Sequence, residues 1–123
     1  MDFRIRDARP IWQQLTEQMT ERIVTGVYDA GTRFPSVREL AAEAGVNPNT
    51  MQRAMAALES DGLVVTNRTA GRMVTEDVTI VAAVRERLAA ARCGEYAENM
   101  RELGYSRQEA AEMLLKEEET DNG

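Results

Sequence analysis

Side chains that usually carry out catalysis or bind metals are scarce in this sequence of 123 residues. It contains no histidine and a single cysteine, Cys93. A zinc cluster or a Ser-His-Asp or Cys-His set therefore cannot be assembled within one chain. The carboxylates are scattered, no glycine-rich phosphate loop is present, and no spacing selects an acid-base pair. We therefore expect no catalytic residues, no metal and no cofactor.

The charged side chains are distributed unevenly along the chain. Residues 1–75 carry nine arginines and nine acids, whereas residues 76–123 carry six basic and twelve acidic side chains. The formal net charge of -6 therefore comes from the C-terminal part. An arginine-rich segment of zero net charge can still present a local basic face, which the net charge hides.

Apolar spacing and capping signals predict the elements that position these arginines. Behind Pro10, an apolar side chain recurs every four residues, at Ile11, Leu15, Met19 and Ile23. A capping box from Ser36 to Glu39 begins a second helix, which Gly45 ends. Asn47 and Pro48 then begin a third helix, predicted over residues 48–60. Its buried face consists of residues three and four apart: Met51, Ala54, Met55 and Leu58.

Two short β-branched segments follow the third helix. They cover residues 63–66 and 72–75 around a polar turn, which indicates a hairpin. Helix, helix, tight turn, helix and hairpin is the order of a winged helix-turn-helix. The sequence thus predicts a mainly α fold with a small β-hairpin, in which residues 1–76 form the winged domain.

Three stretches of this segment closely resemble the GntR family of bacterial transcription regulators. They are PIWQQL at residues 10–15, GTRFPSVRELA at residues 31–41, and VNPNT at residues 46–50, the last followed by Arg53 and Ala54. Their order and spacing also match, and the resemblance covers residues 10–76. It implies a regulator that binds specific sequences of double-stranded DNA.

The resemblance also implies which residues approach the DNA. Arg38 is the first choice for base readout because Arg binds the guanine edge bidentately, whereas Asn and Gln suit adenine. Thr50, near a helix N-terminus, is placed for a phosphate. The residues assigned to DNA binding are Ser36, Arg38, Asn47, Asn49, Thr50, Gln52, Arg53, Arg68, Thr69, Gly71 and Arg72.

Simpler roles stay open at several of these positions. Asn47 is favoured as a cap, Thr50 can complete the first turn, and Arg38 can merely extend over the surface. Gln52 stands where many relatives carry Arg, which implies a different or weaker sequence preference, or else a solvated position.

The predicted wing also departs from the family pattern. Where the family often has a Gly-Lys-Gly-like turn, this chain keeps one glycine, Gly71, between Arg68 and Arg72. The two arginines can contact phosphate or the narrow minor groove, although an arginine on a hairpin is more often simply exposed.

The tail, residues 77–123, is predicted to be all helical and to dimerise. Thr79 caps a long helix, continuous or bent at Gly94, and a capping box from Ser106 to Glu109 begins another. So short a tail cannot build a substantial core alone, and its apolar stripe needs a partner. That stripe consists of Val81, Val84, Leu88, Ala91, Tyr96, Met100, Leu103, Met113 and Leu114. Packing against the chain's own winged domain is the alternative, and the acidic residues 117–123 are expected to fray.

A short helical tail is similar to that of the YtrA subfamily, which implies dimerisation and, by resemblance, links to transporter operons. We expect a cytoplasmic homodimeric repressor on a palindromic operator. The sequence does not indicate whether a small-molecule effector acts on it, or which one. No secretory signal and no apolar run near the roughly 20 residues of a membrane span is present. The alternatives are a winged-helix module that binds protein without DNA affinity and, with less support, an enzyme. Cys93 is either an inert filler or a site of oxidation.

Overall fold

The computed structural model describes residues 2–5 and 8–121. In chain order these residues form α1 (Ile11–Val24), α2 (Val37–Ala44), α3 (Pro48–Ser60), β1 (Val64–Asn67), β2 (Gly71–Val74), α4 (Val78–Glu102) and α5 (Arg107–Asp121). The chain divides into two compact units, residues 1–85 and 86–123, and the division falls within α4. None of the described helices has both the length and the sustained apolar character that crossing a bilayer requires.

The core of the first unit lies between α1, α2, α3 and the hairpin. Leu15, Met19 and Ile23 of α1 and the four predicted apolar positions of α3 point into it, together with Phe34, Leu40 and Val84. Ile11, predicted as part of the same apolar stripe, is instead exposed at the first residue of α1. Its largest fully buried side chains are Leu15, Met19, Leu40, Met51, Met55, Leu58, Leu63 and Val64. The predicted mainly helical fold with one small hairpin is confirmed.

The turn between α2 and α3 follows the local signals closely. The Ser36 hydroxyl accepts a hydrogen bond from the Glu39 amide at 3.1 Å and begins α2. Gly45 ends α2 at a φ of 69°, a left-handed conformation that glycine adopts without a steric penalty. The Asn47 side chain accepts from the Asn49 amide at 2.8 Å, and α3 spans the predicted residues 48–60.

The hairpin forms where it was predicted, but each strand is displaced by one residue. The pairing runs from Val64 opposite Val74 to Asn67 opposite Gly71. The displacement arises at the turn, because the Asn67 side chain accepts hydrogen bonds from the amides of Thr69 and Ala70 and keeps Asn67 in the ladder. Residues 63 and 75 therefore lie outside the strands, and Leu63 is buried in the core.

A segment before α2 extends the hairpin, which the sequence did not predict. The Gly31 amide donates to the Val74 carbonyl at 2.9 Å, and the Phe34 amide donates to the Arg72 carbonyl at 2.8 Å. Arg33 forms an isolated antiparallel bridge with Met73. Because this pairing joins residues about 40 apart, no local pattern indicates it.

The start of α4 corrects a prediction. The helix begins at Val78, and the Asp77 carboxylate accepts hydrogen bonds from the amides of Thr79 and Ile80, so Asp77 rather than Thr79 caps it. Asp and Thr both suit this role, and the carboxylate reaches two amides here. Val84 is buried, and Val81 partly buried, against the core of the first unit. These two members of the predicted intermolecular stripe thus already have a partner within the chain.

The second unit consists of residues 86–102 of α4 and the helix α5. The helix is continuous through Gly94, and Gly104 adopts a φ of 93° after it ends. Ser106 and Glu109 form the predicted capping box, in which the Ser106 amide donates to the Glu109 carboxylate at 2.9 Å and the Glu109 amide donates to the Ser106 hydroxyl at 3.1 Å. The Tyr96 hydroxyl donates to the Ala110 carbonyl at 2.8 Å.

The segment that was predicted to fray, residues 117–123, is helical as far as Asp121. Residues 122 and 123 lie outside the described residues.

Candidate nucleic-acid interface

The first half of α3 presents a polar face because its other face is fully used by the core. Met51, Ala54 and Met55 have no exposed surface. On the other face of the helix, Asn49, Gln52 and Arg53 are exposed and Thr50 is half-buried. The helical repeat thus separates packing from recognition within one element, and the face left for a ligand carries amide, hydroxyl and guanidinium groups.

Two of the residues predicted to bind DNA also cap helices. The Ser36 hydroxyl and the Asn47 side chain each accept a hydrogen bond from a backbone amide of the helix that follows. The role favoured for Asn47 from the sequence is therefore the one seen. Arg38 and Asn49, in the first turns of α2 and α3, are exposed, and the backbone amides of a first helical turn favour anions.

Arg38 is the second residue of α2 and is exposed. Among the residues that the structure describes, no hydrogen-bond or ion-pair partner is found for the side chain of Arg38 or of the exposed Arg68. Arg68 occupies the polar turn of the hairpin, beside Thr69, whose amide and hydroxyl both bond to the Asn67 side chain. Gly71 follows at a φ of 80°, where a side chain would be strained.

Arg53 is held by an aromatic ring on α1. Its guanidinium carbon lies 4.3 Å from the ring centroid of Trp12, within the range of a cation-π contact. Trp12 itself is partly buried against the core. The sequence alone does not indicate this contact, because Trp12 and Arg53 lie on different helices.

Arg72 and Glu59 form an ion pair that joins the hairpin to the last turn of α3. The Nε atom of Arg72 donates to a carboxylate oxygen of Glu59, and both side chains are about one-third exposed. Sequence reasoning assigned Arg72 to DNA and did not consider Glu59. The only available signal was the opposite charge of two residues on either side of the first strand.

A buried arginine near the end of α1, Arg22, links this helix to α2 and to two aromatic side chains outside the helices. Arg22 is 3% exposed, and its guanidinium lies 4.0 Å from the Phe3 ring centroid, bonds to the Tyr28 hydroxyl and pairs with Glu43 of α2 at 3.2 Å. Burial raises the pKa of Tyr28, and the hydrogen bond from Arg22 opposes that rise. Arg22 follows Met19 by three residues on the buried face of α1, which is the sequence signal that was missed.

Comparison with known proteins agrees with this arrangement. The sequence model of the bacterial regulatory proteins of the gntR family matches residues 12–74. An uncharacterized HTH-type transcriptional regulator of Bacillus subtilis, YhcF, is 34% identical over 91% of this chain and 93% of its own length. The HTH-type transcriptional repressor YtrA of the same organism is 39% identical over 58% of this chain and 55% of its own length.

Solved structures show the same fold. A GntR family transcriptional regulator from Listeria monocytogenes superposes with a TM-score of 0.79 at 34% identity, covering 91% of this chain and 98% of that protein. The DNA-binding domain of AraR, in complex with its operator, matches 61% of this chain and 99% of its own length with a TM-score of 0.53 at 22% identity, a likeness of fold. The predicted winged helix-turn-helix is thereby confirmed, and these relatives are named as regulators rather than enzymes.

Proposed function

We propose that this chain, which belongs to the GntR family of bacterial regulatory proteins, is a homodimeric repressor that covers a palindromic operator. The observation that carries the proposal is the exposed polar face of α3 over a fully buried opposite face. One relative is named as a transcriptional repressor, and the double-stranded DNA of an operator is the ligand for which such a face is suited.

In this mechanism α3 enters the major groove. Asn49 and Gln52 offer amides that match an adenine edge, and Arg38 offers a guanidinium that matches a guanine edge. Arg53, steadied by Trp12, and Arg68, in the turn of the hairpin, neutralise phosphates. The caps at Ser36 and Asn47 serve this indirectly, because they hold the first turns of α2 and α3 in shape.

The second unit supports the dimer. Ala110 is the one buried residue among residues 86–116. Three leucines there are well exposed, with Leu103 at 73%, Leu114 at 52% and Leu115 at 62%. We propose that a second copy covers the members of the predicted stripe other than Val81 and Val84, because a two-fold dimer presents two copies of α3 to half-sites about 34 to 36 Å apart.

The resemblance to YtrA-like regulators suggests a transporter operon as the target. Because the operator lies on the bacterial chromosome, we place the protein in the cytoplasm. Sequencing of the genomic fragments that the purified protein retains would identify the operator, and fragments without a shared palindrome would contradict this proposal.

Fluorescence anisotropy tests the DNA contact directly. Wild-type protein is titrated onto the duplex upstream of its own gene and onto a random duplex at two salt concentrations. We expect Arg38→Ala to reduce the preference for the operator by about 1 to 3 kcal/mol, which is roughly 5- to 150-fold. Arg107→Ala, which removes the same charge from an exposed position of α5, is the matched control and should leave the preference unchanged.

The outcomes separate the candidate roles. An equal loss on both duplexes would make Arg38 a phosphate contact. A wild-type protein that is folded and dimeric yet shows no preference at either salt concentration would support the alternative, a winged-helix module that binds protein.

Sedimentation equilibrium tests the dimer. Leu114→Glu places a charge on the exposed apolar face of α5, so we expect it to give monomers and to weaken operator binding. Gln108→Glu adds the same charge to a polar position of the same helix and should leave the dimer intact. Dimers of unchanged affinity for Leu114→Glu would exclude this face as the interface.

A further inference from the structure

The two arginines of the hairpin stand in different surroundings, although the sequence predicts the same role for both. Arg68 is exposed in the turn, and no hydrogen bond or ion pair of its side chain is found among the described residues. Arg72 is half-buried, and its guanidinium bonds to Glu59 in the last turn of α3. One guanidinium is therefore available to a phosphate, and the other is already paired with a carboxylate.

Backbone contacts show that Arg72 lies at a junction. It is paired with Thr66 across the hairpin, and its carbonyl accepts the Phe34 amide from the segment before α2 at 2.8 Å. Glu59 lies about 15 Å further along the axis of α3 than Asn49, by the rise of an α-helix. The pair therefore links the hairpin to the end of α3 opposite the turns predicted to enter the groove.

We propose that Arg72 and Glu59 are positioning residues that hold the wing against the recognition helix, and that Arg68 is the wing arginine that contacts DNA. This inference rests on the proposed function, because it concerns how that interface is held. The pair fixes where the wing turn, with Arg68, stands relative to α3. A wing that moves freely must be ordered on binding, which costs conformational entropy, so the tether raises affinity without touching the DNA.

The substitution Glu59→Gln distinguishes a positioning role of Arg72 from a direct contact with DNA, because the two roles predict opposite changes in operator affinity. If Arg72 bound a phosphate, Glu59 would compete for its guanidinium and repel the DNA, so Glu59→Gln would raise the affinity. If the pair positions the wing, Glu59→Gln releases the tether and lowers it. Ion pairs that remain in contact with solvent are weak, and both side chains of this pair are about one-third exposed, so we expect about a three-fold loss of operator affinity.

A charge-reversed pair provides the rescue. Glu59→Arg and Arg72→Glu should each lower operator affinity, whereas the double variant restores the pair with unchanged net charge and should return to within about two-fold of wild type. Arg68→Gln is the matched variant, because it removes the charge of the wing arginine that is proposed to contact DNA. We expect it to weaken binding to operator and random duplexes alike and to reduce the magnitude of the salt slope by about 1. Glu59→Gln should leave that slope unchanged.

The result that overturns the proposal is a rise in affinity for Glu59→Gln, or a double variant that binds no better than Arg72→Glu. Amide hydrogen exchange of residues 64–74 in the free protein tests the tether without DNA. Faster exchange in Glu59→Gln, reversed in the double variant, supports the tether even if the wild-type protein has no operator preference. Unchanged exchange together with unchanged affinity would overturn the inference while leaving the proposed function intact.

Discussion

The two units of this chain follow the same local rules but differ in what they bury. Each contains a serine that caps a helix and a glycine of positive φ that follows one. The first unit buries leucines and methionines with no exposed surface, whereas Ala110 is the one buried residue among residues 86–116 of the second. Local signals thus place helices equally well in both, and only the packing of several elements against each other makes a core.

This difference corresponds to a division of labour in the proposed regulator. A recognition surface needs side chains held at fixed positions, which α1, α2 and the hairpin supply to α3. A dimerisation surface needs exposed apolar side chains, which α4 and α5 retain. The following experiments test this contrast between the units.

The largest expected difference between the units is the loss of stability when a leucine is truncated to alanine in each. Leu15 is fully buried in the first unit, so Leu15→Ala should lower the free energy of unfolding by about 2 to 5 kcal/mol. Leu103 is 73% exposed, and Leu103→Ala should change it by less than about 0.5 kcal/mol when the protein is too dilute to associate. Urea titration measures both values. Similar costs would mean that the tail carries a core of its own.

Removing a helix cap in each unit should cost similar free energy, but the loss should be detected by a different measurement in each unit. Ser36→Ala and Ser106→Ala each delete an acceptor 3.1 Å from a helix amide, at a cost of about 1 kcal/mol. For Ser36→Ala we expect the loss in the cooperative unfolding of the first unit. For Ser106→Ala we expect faster amide exchange confined to α5. Two equal shifts of one common transition would show instead that the units unfold together.

The arginine contact of the first unit should contribute to stability, whereas that of the second should not. Trp12 is the only tryptophan of the chain, so its emission reports the Arg53 contact. Arg53→Gln should change the emission and cost about 0.5 to 1 kcal/mol, whereas Arg53→Lys keeps a cation near the ring. In the second unit, Arg101→Gln breaks an exposed pair with Glu98 and should leave stability unchanged. Identical emission for wild type and Arg53→Gln would contradict the contact.

The smallest effects concern pH, and they have opposite signs in the two units. The Ser106 backbone amide, and then its side chain, holds the pKa of Glu109 below its usual range. The stabilisation is therefore present above the unfolded pKa, about 4.3, and is lost as the pH falls through the folded value. Burial raises the pKa of Tyr28, so its contribution is present below the unfolded pKa, about 10, and is lost as the pH rises.

Amide exchange across a pH series checks these two directions. Acid should loosen α5, and Glu109→Gln should remove that dependence. Alkali should loosen the surroundings of Tyr28 in the first unit, and Tyr28→Phe should abolish this response. A response of α5 to acid that persists in Glu109→Gln would assign it to another carboxylate.

Much of the candidate site could be predicted because its positions depend on residues close in sequence. The cap at Asn47, the proline that follows it and the glycine turn before it determine where α3 begins. The apolar spacing of α3 then determines which of its side chains stay outside the core. The resemblance to GntR regulators rests on these same stretches, and the comparisons confirmed the family.

The contacts that sequence reasoning missed all join residues on different elements. They are the ring of Trp12 under Arg53, the pair of Glu59 with Arg72, the partners of the buried Arg22, and the strand-like pairing of residues 31–34. By charge and aromaticity alone, each of these residues has many possible partners in the sequence. The partner that it contacts depends on which residues the folded backbone brings close to it.

Local sequence signals locate the start of each helix to within a residue or two, and they identify most of the buried positions of α1 and α3. These properties follow from capping and from the helical repeat, which act over only a few residues. The packing of elements that are distant in sequence places Val81 and Val84 against the first core. It also pairs Arg72 with α3, while no partner of the Arg68 side chain is found among the described residues. Burial and ion pairing depend on distances in space, which local patterns do not contain.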